Sequence, residues 1–293
     1  MRRISIALAI AITLPLNLLG AGGYGTFYGA RAMAMGGAFA AVADDPTALW
    51  YNPAALPTLP PSVYVGAFYL AMDPVIQVLN PIVAVAYRGF GIMAGIYPYV
   101  PRLSNIRIGY GREVKRLEMG SLWLGDMYVG GGIGISYMVP SVFGGVYVRR
   151  YPGYGLYVGV HELGMSKDSG FVHDYRVGAA IVPLYNDIHD LKISGEMWMK
   201  PGKSRYSRYF YPIWSVGASY TFYRTVGVHI GILVDSAGWR VGPTFGGSLK
   251  YGDFTLTVEN EGYVYWFVKY ASPGDPAYAL RFSLLYTREV KGR

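Results

Sequence analysis

Catalysis needs nucleophiles, bases or metal ligands at defined spacings, and this chain offers few. Its four histidines, His161, His173, His189 and His229, lie far apart, and none has a second His at metal-ligand spacing. There is no G-x-S-x-G elbow and no G-x-x-x-x-G-K-[ST] loop. Gly36–Gly37 lacks a following Lys-Ser/Thr, which argues against a phosphate cradle. Asp44–Asp45 could be read as paired catalytic carboxylates, but directly before Pro46 they suit a helix start better. His189–Asp190 and Glu162 fall near strand ends, where solvated charges are normal. A hydrolase would need a Ser–His pair on neighbouring strands, and Ser219 or Ser248 with His229 leaves that option open. Cysteine is absent, which removes disulfides, thiolate chemistry, Cys-based zinc sites and a lipoprotein anchor. The expectation is a protein that is not an enzyme, with no catalytic residue, metal or cofactor.

The elements around these residues say more. Arg2–Arg3, a short apolar run from Ile4 to Leu14, Pro15 and the small residues Gly20 to Gly23 make a signal peptide over 1–21, so the chain is exported. From there to about Pro60 the sequence is rich in Ala, Gly and Met and predicts short helices. Asp44-Asp45-Pro46 begins a helix over Thr47 to Tyr51, and Asn52-Pro53 stops it.

Beyond Pro60 the apolar residues recur with period two. Val226, Val228, Ile230, Ile232 and Val234 share one face, against Thr225, Gly227, His229, Gly231, Leu233 and Asp235 on the other. Segments of about ten alternating residues suit tilted strands crossing a bilayer. Sandwich strands are shorter and carry a charged outer face, whereas here the polar face is mostly Gly, Ser, Thr and Ala. Only 15% of residues are charged, 52% are hydrophobic and 16% aromatic, too few charges to cover a water-soluble surface. Lipid cannot satisfy an open sheet edge, so the strands must close. The expected fold is all-β, a transmembrane antiparallel β-barrel over 61–293. Its 14 strands are 62–72, 81–88, 90–98, 106–118, 127–138, 142–149, 153–163, 172–183, 190–199, 212–223, 225–235, 239–251, 253–268 and 277–287, with 12 as the alternative count. Tight turns follow even-numbered strands, at Gly89, Arg224 and Gly252, and longer links follow most odd ones, 139–141 and 236–238 excepted. The net charge of +8 is scattered, as at Arg149–Arg150, Lys200 and Lys203, and argues against a nucleic-acid surface.

Gly29-Ala-Arg-Ala-Met-Ala-Met-Gly-Gly-Ala-Phe-Ala-Ala-Val-Ala-Asp-Asp-Pro-Thr-Ala-Leu-Trp-Tyr-Asn-Pro-Ala-Ala-Leu56 resembles the N-terminal hatch of the long-chain fatty-acid transporter (FadL/TodX-type) outer-membrane proteins. Asn52-Pro53-Ala54 is the tripeptide that typifies that family. The resemblance covers about 30 residues; the rest of the chain is similar in architecture only. It implies that 22–60 forms a helical hatch closing a 14-stranded barrel in the outer membrane. Hydrophobic compounds would bind in the lumen and leave by a lateral opening. Asn52, Pro53, Ala54, Phe39, Met35 and Trp50 are then the candidate binding and gating residues, with His229, Arg176 and Arg281 facing the lumen. Asn52, beside Pro53, would bond nearby backbone and pin the hatch against the wall.

Two departures bear on function. The barrel is shorter than typical fatty-acid transporters, which leaves less loop for an outer capture surface, and it ends Arg288-Glu-Val-Lys-Gly-Arg293 rather than on an aromatic. The expected function is passive uptake of fatty-acid-like or aromatic hydrocarbons. Its partners are outer-membrane lipid and a hydrophobic small molecule, not nucleic acid, and a monomer is favoured. The alternative is a barrel without transport, acting as a type IX-like secretion shuttle or a structural interaction protein. A lumen lined by Phe, Leu and Met would favour transport.

Overall fold

A computed structural model describes residues 29–72, 75–96, 104–136, 139–166, 170–201, 210–235, 240–261, 264–265 and 278–288. The expected leader at 1–21 lies outside them. Two short helices, α1 (Ala30–Ala34) and α2 (Ala48–Tyr51), and a 3-10 turn at Pro53–Thr58 precede the sheet. The strands are β1 (Ser62–Met72), β2 (Val75–Tyr87), β3 (Phe90–Gly95), β4 (Asn105–Met119), β5 (Leu122–Ser136), β6 (Val139–Arg150) and β7 (Tyr154–Ser166). They continue with β8 (Gly170–Tyr185), β9 (His189–Pro201), β10 (Phe210–Phe222), β11 (Val226–Asp235), β12 (Arg240–Tyr251), β13 (Phe254–Glu261) and β14 (Tyr278–Thr287). Val264–Tyr265 extends the line of β13 along β12.

Each strand pairs antiparallel with its sequence neighbour, and β14 pairs with β1, Thr287 opposite Ser62 and Tyr278 opposite Ala71. The sheet is therefore a closed 14-strand barrel without an edge. No helix among the described residues is long and apolar enough to cross a membrane.

Alternation explains the wall. Val63, Val65, Val83, Val85, Val228, Ile230 and Ile232 are exposed, while their neighbours Tyr64, Ala84, Gly227, His229 and Gly231 are buried. A continuous apolar outer surface of this kind is stable only against lipid. Exposed Tyr87, Phe90, Tyr185, Phe222, Tyr251 and Phe254 flank the turns after even-numbered strands, forming an aromatic girdle at that rim. Those turns are short. The β2–β3 turn, Arg88–Gly89, has positive φ at both residues, 49° and 83°, the backbone twist that a two-residue hairpin favours.

Three expected boundaries are corrected. β2 begins at Val75 rather than at 81, because Pro81, expected to delimit the strand, sits inside it opposite Ala67. β5 begins at Leu122 rather than 127, joined to β4 by a tight turn at Gly120. Bulges at Glu113/Lys115 and Leu117/Glu118 disturb the alternation there, and Gly125 has φ 132°. Residues 139–141, expected as a link, open β6.

The hatch lies inside the barrel. α1 packs on β11, β12, β13 and β14, α2 on β3 and β4, and the 3-10 turn on β3 to β6. Its residues Met33, Phe39, Leu49, Trp50, Tyr51 and Leu56 are almost wholly buried and build a core cluster with inward side chains of the wall. The α2 start differs from the expected cap: Thr47 is the N-cap, without a side-chain cap bond, the helix begins at Ala48 and Pro46 lies before it, while Asp45 Oδ1 accepts the Thr47 N–H at 2.8 Å in the turn leading in.

Candidate functional site: the seat of the hatch

The hatch approaches the wall more closely than any Cβ would allow. A methyl at Gly130 would lie 2.5 Å from the Pro53 carbonyl oxygen and 2.6 Å from the Ala54 nitrogen. At Gly217 and Gly231 it would meet Met35 backbone at 2.3 and 2.1 Å, and at Gly155 the Ala41 carbonyl oxygen at 2.3 Å. The small residues of the inward face thus form a belt into which hatch backbone sinks.

Polar contacts orient it. Glu196, on β9 and buried, accepts N–H groups from Phe39 at 3.1 Å and Ala40 at 2.9 Å through one oxygen. Its other oxygen is 3.1 Å from Arg176 Nε on β8. Arg176 in turn lies over the rings of Tyr51 and Trp198, 4.8 and 4.7 Å to the centroids. Tyr64, Tyr147 and Thr244 bond the hatch backbone at Ala30, Ala41 and Ala34. Near α1, Arg31 pairs with Asp44 and stands 3.7 Å from Asp45, while Lys192 bridges Asp44 and Asp190 at 3.0 and 3.2 Å. Burial lowers the Arg31 pKa from its ordinary value, and the negative charges of Asp45 and Asp190 oppose that shift. Asp44 and Asp45 are therefore structural.

The expected site residues occupy this seat. Asn52 is fully buried, and its amide donates to the Ala40 carbonyl at 2.8 Å. It ties the hatch to itself, whereas the wall contact belongs to Pro53 and Ala54 on the glycines. Asn52→Ala would leave that carbonyl without its donor, a cost of about 1–3 kcal/mol. Faster proteolysis within the hatch is the expected result; an unchanged cleavage rate would show that Asn52 holds nothing. Phe39 stacks edge-on to Tyr51 at 5.3 Å, and the Met35 backbone sits in the Gly217–Gly231 seat. Trp50 is buried, with Arg107 3.9 Å over its ring and His161 edge-on at 4.5 Å.

His229 and Arg176 are buried on the inward face, as expected. Arg281 pairs in register with Glu259, and its side chain lies outside the described residues. His229 bonds Ser219 through Nδ1 at 2.9 Å and Ser248 through Nε2 at 3.0 Å. Both ring nitrogens face hydroxyls, so no carboxylate orients the ring as a Ser–His–acid relay requires. Around the hatch the inward wall mixes apolar Met93, Phe143 and Leu233 with Tyr64, Tyr157 and Trp198 and the charged Arg107, Arg176 and Glu196.

Outside the barrel, beside the same seat, the wall carries a groove of about 470 Å³ across β4 to β7, lined by Ile106, Ile108, Ile133, Ile135, Val142 and Leu163. Ser141, buried on the lumen side, forms part of its lining. On the opposite side of the hatch a polar cavity of about 250 Å³ is lined by Arg31, Asp190, Lys192 and His229 and reaches the turn at Arg224–Thr225.

No protein-family model matches the sequence, and no curated protein does. Solved structures do match in fold. The Ralstonia pickettii toluene transporter TbuX superposes with TM-score 0.57 at 12% identity, over 90% of this chain and 98% of its own. The CymD monoaromatic hydrocarbon channel gives 0.55 at 11%, over 91% and 98%. The Pseudomonas putida toluene transporter TodX gives 0.52 at 11%, over 91% and 99%. At these identities the likeness is one of fold.

Proposed function

We propose that this protein is a passive outer-membrane channel for hydrophobic small molecules, of the fatty-acid or aromatic-hydrocarbon class, entered from outside and left sideways into the membrane. One observation carries the reading. A hatch fills the lumen, and the wall it rests on, the glycine-rich β4–β6 stretch, bears an apolar groove open to lipid. Open water is a poor route for such compounds, since each exposed CH₂ costs about 0.8 kcal/mol. A path from the lumen to the groove beside Gly130 and Ser141 would keep the solute out of water. Asn52-Pro53-Ala54 is the part of the hatch whose movement would open that path, and Phe39, Met35 and Trp50 are the hatch side chains a passing solute would displace. The lumen-facing Arg176 would hold the resting hatch through Glu196.

Mass spectrometry of lipids extracted from the purified, detergent-exchanged protein tests this reading. A stoichiometric apolar compound is expected. An empty but folded barrel, shown by heat-dependent gel mobility, would instead favour a secretion or structural role, and large single-channel currents would favour an aqueous porin.

A further inference from the structure

One cluster plays no part in seating the hatch backbone. Strict alternation would send His161 and Glu162 to opposite faces of β7. A bulge prevents it: the register shifts between Val160 and Glu162 against β8, and between Val142 and Gly144 against β6. Both side chains turn inward, 3% and 7% exposed. Bulges often serve to re-aim a side chain near a functional site. Glu162 stands opposite Asp174 of β8 in register, and Asp174 is 6% exposed. His161 Nδ1 is 3.9 Å from Asp174 Oδ2, and one donor atom from each of the three residues lies within 4.8 Å of the others.

We propose that His161, Glu162 and Asp174 form a site in the lumen wall for a divalent transition cation of the zinc class, set against Trp50 of the hatch. The donor set is one imidazole nitrogen and two carboxylate oxygens. Bonds of about 2.0–2.2 Å around a four-coordinate ion require ligand atoms roughly 3.3 Å apart, which small side-chain rotations from the present spacing provide. Two carboxylates and a neutral imidazole balance a double positive charge, and the imidazole selects against calcium and magnesium, which take oxygen donors. The His161 ring lies between Trp50 and Trp198, at 4.5 and 4.8 Å, so its plane is already held. The nearby cations Arg107 and Arg176 lie over aromatic rings, and Arg176 pairs with Glu196.

The test uses the full folded barrel in detergent after treatment with a chelator, titrated with Zn²⁺ by calorimetry and with Co²⁺ by tryptophan emission. One equivalent of Zn²⁺ is expected to bind, and Co²⁺ to quench part of the emission, because Trp50 and Trp198 flank the imidazole. The Glu162→Gln/Asp174→Asn double variant is expected to bind more than about 100-fold more weakly, since loss of outer-shell partners alone costs 10–100-fold. If that variant loses its heat-dependent gel mobility, His161→Phe, which keeps an aromatic ring between the two tryptophans, serves in its place with the same expectation. A folded wild-type barrel that takes up no Zn²⁺ would leave a buried His–carboxylate ion pair and overturn the site. Unchanged binding in the variants would overturn it equally. Uptake is not the readout, so the result is independent of the transport reading.

Discussion

Glu196→Ala is expected to unseat the hatch while leaving the barrel closed. The carboxylate holds two hatch amides, those of Phe39 and Ala40, and balances Arg176, all in surroundings with almost no solvent. Removing one partner of a buried ion pair strands the other charge and costs about 3–5 kcal/mol. Two amides lose their acceptor as well, and each buried unpaired group adds about 1–3 kcal/mol. The barrel's own hydrogen bonds do not pass through Glu196, whose strand pairs by its backbone with β8 and β10. The expected result is therefore specific: heat-dependent gel mobility persists, protease cuts within the hatch, and planar bilayers show ion currents absent from the wild type. Glu196→Gln keeps an acceptor oxygen and should show a smaller change in the same direction. An Ala variant that is as protease-resistant and as electrically silent as the wild type would remove Glu196 from the seat.

Much of this architecture was legible in the sequence, because period-two alternation reports which face a strand residue occupies. Val226 to Asp235 behaves as expected at every described position, with His229 inward among glycines. Legibility failed where a bulge changes the period. Leu122 to Asp126 looked like a loop because the β4–β5 ladder slips at Leu117/Glu118 and Gly125 has a positive φ. The slip beside His161 likewise hides that His161 and Glu162 share a face, since strict alternation would part them. In the sequence Glu196 is one charge on an inward face of small residues. The available signal was its strand parity, a charge where the alternation of β9 points into a space that lipid and water both leave. The glycine belt was visible as composition, but its cause was not. Gly130 and Gly217 are required by hatch backbone at Pro53 and Met35, far earlier in the chain, a contact no local pattern encodes. Asn52 shows the same limit. Its role as a backbone donor followed from the break before Pro53, and its acceptor, Ala40, followed only from the fold.

On the proposed route an apolar solute passes only when the hatch moves. The Cβ of Ala40 stands 3.4 Å from where a Cβ at Gly178 of β8 would lie, close to the separation of about 3.5–4.5 Å found across disulfides. The native chain has no cysteine, so Ala40→Cys/Gly178→Cys would introduce its only thiols. Uptake of a labelled fatty acid or toluene by cells carrying this variant, oxidised and then reduced, is the direct measurement. Background uptake is expected in the oxidised state, with recovery on reduction. Uptake at the wild-type rate with the hatch covalently tied to β8 would contradict it.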